Sequence, residues 1–236
     1  MKNLPKASIH SKRQNINDDI NGDGVNRVVV VMPALNESRT IYGLIKKVQK
    51  KIPVILVDDG SSDGTSKKAK LANAIVVRHQ ISRGYDAALS SGLNQALEMG
   101  FTHAITMDAD GQHNPVYIDS FIELIENGSD LIIGKRDYFQ RKSELLFAWY
   151  GKRFWKISDP LCGMKAYRLS LVNEYGAFNR WRSAGTEFAV RLIKAGVVPT
   201  EIPIIIRPRA DESRFGGVFK ANLKIFLILL RLLLQK

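Results

Sequence analysis

From Arg27 onward, short hydrophobic runs closed by turn formers alternate with segments of helical length. Val28–Met32 predicts a strand and Ser38–Lys51 an amphipathic helix. Val54–Val57 predicts a second strand, with a helix from about Asp63. Ala74–Val77 predicts a third, with a helix from about Tyr85 to Met99. Ala104–Met107 and Leu131–Ile133 predict strands four and five, separated by a helix from about Pro115 to Asn127. These strand runs carry no internal polar alternation. That pattern marks strands buried on both faces, as in a parallel sheet covered by helices on each side. The expected fold class is therefore doubly wound α/β, in which ligands bind beyond the carboxyl ends of the strands.

After about Lys135 the regularity weakens. Arg141–Ile157 sets Phe147, Trp149, Tyr150, Phe154 and Trp155 among Lys152, Arg153 and Lys156. Two more strands, around Lys165–Tyr167 and Ile202–Ile206, and a helix near Phe188–Lys194 follow. The chain ends in Phe219–Lys236, strongly apolar but broken by Lys220, Lys224 and Arg231. Cations inside that segment speak against a spanning helix. They favour an amphipathic helix lying on a bilayer, the alternative being a helix that closes the core. Residues 1–26 are polar and lack periodicity, and are read as a flexible tail. Asp19–Gly24 matches only the first half of a calcium loop, because the twelfth position is Val30 where a bidentate glutamate is needed. The expected organisation is a tail over 1–26, one domain over 27–218 and a terminal helix over 219–236.

Composition narrows the function classes. The 236 residues are 45% hydrophobic and 25% charged, enough to bury a sizeable core in one domain. The net charge of +12 favours anionic partners. The basic residues are spread along the chain and no recognised nucleic-acid module is visible, so nucleic acid is not an expected partner. The single cysteine, Cys162, allows no internal disulfide and suits a reducing compartment. No apolar leader precedes the domain, and no apolar run reaches the roughly 18 residues of a membrane span. A cytoplasmic protein, peripheral on the cytoplasmic face of a membrane, is expected.

Polar clusters follow the presumed strand ends. They are Pro33-Ala34-Leu35-Asn36-Glu37 after strand one, Asp58-Asp59-Gly60-Ser61-Ser62-Asp63-Gly64-Thr65 after strand two, and Asp108-Ala109-Asp110-Gly111-Gln112-His113 after strand four. A parallel sheet places all three on one edge. Asp108 and Asp110 point the same way if the backbone is still extended there. Oxygen ligands of that kind suit Mg²⁺ or Mn²⁺ bridged to substrate phosphates, and Gln112 can add a neutral oxygen. The alternative is a turn whose aspartates cap the next helix. Asp58 or Asp59 can accept hydrogen bonds from a base or ribose, while Asp63 can cap the helix that follows. Neither Gly-x-Gly-x-x-Gly nor a Walker loop is present, which excludes the usual dinucleotide and P-loop sites.

Taken in order, Pro-Ala-Leu-Asn-Glu, Val-Asp-Asp-Gly-Ser-Ser-Asp-Gly-Thr and Met-Asp-Ala-Asp-Gly-Gln-His resemble glycosyltransferase family 2, most of all its dolichyl-phosphate mannose synthase branch. Arg83-Gly84-Tyr85, Gly92 and Asp159-Pro160-Leu161-Cys162-Gly163-Met164-Lys165 extend the resemblance, which runs from about Val28 to Arg214. It implies a single GT-A domain with a Rossmann-like, mostly parallel sheet, acting on a GDP- or UDP-linked sugar and a polyprenyl-phosphate acceptor. It further implies that Pro33, Asn36, Glu37, Asp58 and Asp59 hold the nucleotide end, helped by Arg83 and Gly84. Asp108, Asp110 and Gln112 would bind Mg²⁺ or Mn²⁺ against the diphosphate, with Asp110 counted among the catalytic groups. Asp159 and Glu187 would line the sugar and acceptor side. Arg136, Arg209, Ser213 and Arg214 would handle phosphate. The chain departs from the family pattern at Asp86 and Asp211, where glycine is common, and Arg207 is the alternative to Arg209.

The chemistry so implied is an inverting displacement at the anomeric carbon. A phosphate monoester acceptor has a second pKa near ~6 and is already nucleophilic at neutral pH. It asks for arginines to position it rather than for a strong base. A hydroxyl acceptor on a growing glycan, the competing reading, asks for a carboxylate base.

Overall fold

The computed structural model describes residues 27–139, 141–175, 185–207 and 218–234. Seven strands form one sheet: β1 (Val28–Ala34), β2 (Val54–Asp58), β3 (Ile75–Arg78), β4 (His103–Thr106), β5 (Leu131–Arg136), β6 (Lys165–Arg168) and β7 (Pro199–Ile204). The helices are α1 (Ile41–Val48), α2 (Thr65–Leu71), α3 (Tyr85–Glu98), α4 (Ile118–Glu126), α5 (Lys142–Tyr150), α6 (Leu169–Tyr175), α7 (Thr186–Lys194) and α8 (Val218–Leu234). A 3₁₀ turn over Pro115–Tyr117 leads into α4, and a π turn over Gly151–Trp155 extends α5.

The strand order is β3-β2-β1-β4-β6-β5-β7. β1 pairs in parallel with β2 and β4, as do β2 with β3 and β5 with β7. β6 is the exception, antiparallel to both β4 and β5. Its partner for Thr106, the last residue of β4, is Lys165, its own first residue. The reversed strand therefore starts where β4 ends, and it delivers the preceding segment 159–164 to the same sheet edge as the loops after β1, β2 and β4.

The apolar runs are explained by two cores. Successive strand residues face opposite sides. Val29, Val31, Ile55 and Val57 share one buried cluster with Leu89 and Leu93 of α3, Phe188 of α7 and Leu229 of α8. Val28, Val30, Met32 and Leu56 share the other with Ile41 and Ile45 of α1 and Phe121 of α4. α3 lies so close to the sheet that a β-carbon at Gly92 would overlap the Val31 side chain and stand 2.9 Å from Val57 Cγ2.

Most differences from the expected elements are at boundaries. The first helix, Ile41–Val48, is shorter than Ser38–Lys51 at both ends, with turns over 38–40 and 49–51. Gly64 holds the N-cap position of α2, and the Asp63 side chain, one residue earlier, accepts from the Thr65 N–H at 3.1 Å as expected of a cap. The last strand starts at Pro199 and ends at Ile204, earlier than Ile202–Ile206. The expected tail over 1–26 lies outside the described residues. Among the described residues no helix is long and apolar enough to cross a membrane.

Candidate active site

The loops at the carboxyl edge are tied into one rim. Asn36 N–H donates to Ser61 Oγ at 2.8 Å, and Asn36 Oδ1 accepts from Ser62 N–H at 3.0 Å. Asn36 holds φ at 52°, a left-handed conformation that asparagine tolerates better than most residues. The Glu37 N–H donates to Thr65 Oγ1 at 2.9 Å and the Ser38 N–H to Asp63 Oδ2 at 2.9 Å. Burial pushes the Asp63 carboxyl up, but hydrogen bonds from Thr65 and Ser38 outweigh it and hold the pKa at about 2. Pro33 lies beyond the last β1 residue paired with β4, so its missing N–H costs that ladder nothing.

Asp58 and Asp59 are both buried. Asp58 accepts from Ser61 N–H at 2.8 Å and from the Ser66 hydroxyl, with Arg78 Nε at 3.7 Å. Asp59 accepts from four partners: the His79 ring at 2.6 Å, Ser82 Oγ at 2.7 Å, and the Arg83 and Gly84 N–H groups at 2.8 Å each. A carboxylate has about four lone-pair sites, so Asp59 is fully used. Burial raises its pKa, but the Arg83 N–H, His79, Ser82 and Gly84 N–H bonds overcome this and lower it. In this geometry the pair shapes the loops after β2 and β3, and Arg83 and Gly84 enter the rim through their backbone amides.

Asp108 stands at the centre of the edge, with about a third of its side chain exposed. Tyr85 Oη donates to its Oδ1 at 2.6 Å. Its own N–H donates to His113 Nδ1 at 3.1 Å, which makes that ring nitrogen an acceptor. Its carboxylate also lies against Gly163, where a β-carbon would stand 2.5 Å from Oδ2. Burial and the Asp108 charge together push the Tyr85 phenol well above its usual pKa, so it remains a donor. Asp110 Oδ1 accepts from Gln112 N–H at 3.0 Å, and Ala109 O accepts from Thr40 Oγ1 at 3.0 Å. Gln112 is bound to the segment after β7: its carbonyl accepts from Arg207 N–H at 2.9 Å, and its Nε2 donates to Arg207 O at 3.4 Å.

Among the described residues no three His, Cys, Asp or Glu side chains are grouped to hold a metal ion alone. The donor set nevertheless fits Mg²⁺ or Mn²⁺. Such ions typically take one or two carboxylates and complete their shell with phosphate and water. Asp108, partly exposed, and Asp110, two residues further on the same turn, offer that pair.

On the other side of the edge, Arg136 and Asp159 form a bidentate pair, Nε to Oδ2 at 2.7 Å and Nη2 to Oδ1 at 2.9 Å, with the Arg136 N–H adding a third bond at 3.1 Å. Asp159 is 1% exposed. Glu144 of α5 lies 3.6 Å from the Arg136 Nη1 and accepts from Arg141 Nη1 at 2.9 Å. Glu187 stands in the first turn of α7. Arg209, Ser213 and Arg214 lie outside the described residues.

Tyr85, His113 and Gly163 stand within the quoted motifs, but that they bear on Asp108 is visible only in the structure. Glu144, which bears on Arg136, carries no local signal in the sequence. Lys165 is fully buried, donates to the Cys162 carbonyl and has its pKa lowered by burial.

The glycosyl transferase family 2 model matches residues 29–176. An uncharacterised protein of Methanocaldococcus jannaschii is 31% identical over 93% of this chain and 96% of its own length. The undecaprenyl-phosphate mannosyltransferase of Micrococcus luteus is 27% identical over 81% of this chain and 88% of its own. Among solved structures, the glucosyl-3-phosphoglycerate synthase of Mycobacterium tuberculosis, in complex with Mn²⁺, UDP and glucosyl-3-phosphoglycerate, superposes with a TM-score of 0.69. It is 16% identical over 98% of this chain and 86% of that one, a likeness of fold.

Proposed function

Since the chain belongs to glycosyl transferase family 2 and is a glycosyltransferase, we propose that it moves a hexose from a nucleoside-diphosphate sugar to a polyprenyl phosphate at a membrane face, with inversion and with Mg²⁺ or Mn²⁺. The observation that carries this reading is the convergence of Asp108 and Asp110 with the loops after β1, β2 and β3 on one sheet edge. The relatives named for undecaprenyl-phosphate mannosyl transfer support the acceptor class.

In this proposal the rim from Pro33 to Thr65, braced by Asp58 and Asp59, takes the base and ribose. Asp108 and Asp110, with Gln112 beside them, face the diphosphate. A bound divalent ion supplies Lewis-acid neutralisation of the charge that develops on the leaving diphosphate. The acceptor enters beside Asp159 and Glu187. Arg136 meets the acceptor phosphate by exchanging part of its pairing with Asp159 for it, and Arg207, Arg209, Ser213 and Arg214 add further donors. A dianionic phosphate needs no base, so Asp159 orients and Glu187 lines the acceptor side. α5 and α8 supply the membrane contact: they pack together, and Leu145, Leu146, Trp149, Phe226, Leu227 and Leu230 are exposed on them.

The test is a screen of nucleotide sugars with Mg²⁺ or Mn²⁺, with and without polyprenyl phosphate. The expected result is lipid-linked sugar, with transfer cut at least ~10²-fold by Asp110→Ala in a protein that still folds. Full activity in that variant would falsify the metal role. A second reading, transfer to a hydroxyl of a growing glycan with Glu187 as base, is favoured by one observation, the closure of Arg136 onto Asp159. Turnover of the donor with a glycan acceptor and none with polyprenyl phosphate would select it.

A further inference from the structure

The head of α3 holds two parts of the site at once. Tyr85, its first residue, donates to Asp108 at 2.6 Å. Asp86, the next residue, is 6% exposed, and its Oδ1 accepts from the Gly185 N–H at 3.1 Å across 99 residues of chain. Gly185 is the cap of α7, with φ at 72°, and Glu187 follows two residues later. The same cap is held by Tyr167, whose hydroxyl donates to the Gly185 carbonyl at 3.3 Å. Thr186 Oγ1 then donates to the Pro160 carbonyl at 2.9 Å, next to Asp159.

Burying a carboxylate is costly unless it is hydrogen-bonded, so Asp86 must return something for its burial. Its charge stands in the first turn of α3 and against the first amide of the α7 cap, and negative charge is favoured near the amino end of a helix. Consecutive residues of one helical turn thus reach Asp108 on the donor side and the head of α7 on the acceptor side.

We infer that Asp86 is a positioning residue for transfer: by holding the Gly185 amide it sets Glu187 against Asp108. The inference rests on the sugar-transfer reading above, and it concerns the acceptor half of the site only. Asp86→Leu keeps the forked branching in a bulkier side chain and removes the acceptor atom. Asp86→Asn keeps an oxygen that can accept from Gly185. Asp86→Glu keeps the charge and lengthens the arm.

Three measurements test it on the full chain: kcat and KM for transfer, binding of UDP and GDP with Mn²⁺ by calorimetry, and amide hydrogen exchange at Gly185. Asp86→Leu is expected to lower kcat about ten- to a hundredfold, as a displacement of about 1 Å can. Nucleotide binding should stay within about twofold, and exchange at Gly185 should quicken. Asp86→Asn should restore kcat to within a few-fold of the parent. If the leucine variant does not fold, Asp86→Glu decides: a fall in kcat at unchanged nucleotide affinity supports the inference, and parental kcat overturns it. Parental kcat in a folded Asp86→Leu, or nucleotide affinity falling in step with kcat, also overturns it. A parent protein that binds neither UDP nor GDP with Mn²⁺ would remove the sugar-transfer reading itself, an outcome distinct from these.

Discussion

At the scale of the residue, Asp108 shows how much of a site can depend on its neighbours. Tyr85 fixes one oxygen, and Gly163 leaves room for the other. Gly163→Ala would place a methyl 2.5 Å from Oδ2, and the short carboxylate arm must swing away. Metal-dependent nucleotide binding should weaken about tenfold, or ~1.4 kcal/mol. The melting temperature should move by only a few degrees, because the displaced atom is a partly exposed side-chain tip. Calorimetric titration of the variant with UDP and GDP in Mn²⁺ checks this, and unchanged affinity would refute the role given to Gly163. The pair Asp108 and Asp110 is legible in the sequence because the two lie within one turn. Tyr85 and Gly163 are not, because they reach Asp108 from 23 and 55 residues away in the chain. A second residue bears on stability. His103, at the opposite end of β4, is 3% exposed, and burial, aided by the Arg168 charge, lowers its pKa to about 4 against the opposing pull of Asp130. The folded value lies below the unfolded one, so the unfolded chain takes up the proton first. The contribution is complete above about pH 6.5 and is lost as pH falls towards 4. Thermal denaturation between pH 7 and 4 should show a steeper loss for the parent than for His103→Phe, and parallel curves would count against it.

At the scale of the element, the amphipathic periods and buried runs locate nearly every strand and helix described between residues 27 and 136. What they leave open is the direction and order of the strands. Lys165–Arg168 reads as a strand, yet nothing in its four residues says that it runs against its neighbours or lies between β4 and β5. That placement is decided by long-range pairing. The close seat of α3 on β1 and β2 is similarly silent: Gly92 belongs to the resemblance, but nothing near it in the chain says that Val31 and Val57 lie against it. Gly92→Ala must push the Val31 and Val57 side chains and is expected to destabilise the protein by about 1–3 kcal/mol, despite the better helix propensity of alanine. Urea denaturation measures it, and a gain in stability would show that the helix can back away freely. The head of α5 shows a further non-local device: the N–H of Ser143 donates to Asn222 Oδ1 of α8 at 3.3 Å, so one helix caps another.

At the scale of the whole molecule, the +12 charge and the exposed apolar residues of α5 and α8 belong to one expectation. The protein should sediment with vesicles containing phosphatidylglycerol, bind vesicles of phosphatidylcholine alone more weakly, and release from the former as salt rises, since the charge term is screened over about 8 Å at physiological ionic strength. Trp149→Ser with Phe226→Ser tests the contact better than removal of α8, because Ile228, Leu229 and Leu232 of that helix are buried in the core. Equal binding by parent and double variant would sink it. The reversed strand β6 has a further consequence, for the order in which the molecule is made. Thr106 and Lys165 pair across 59 residues of chain, and closing so long a loop is slow. During synthesis β1 to β4 can assemble while β6 is still untranslated, which at 5–20 residues per second leaves the flank of β4 unpaired for about 3–12 seconds. That flank is an open edge of the kind that invites aggregation. The strand that completes the site is thus also the one that seals the nascent sheet.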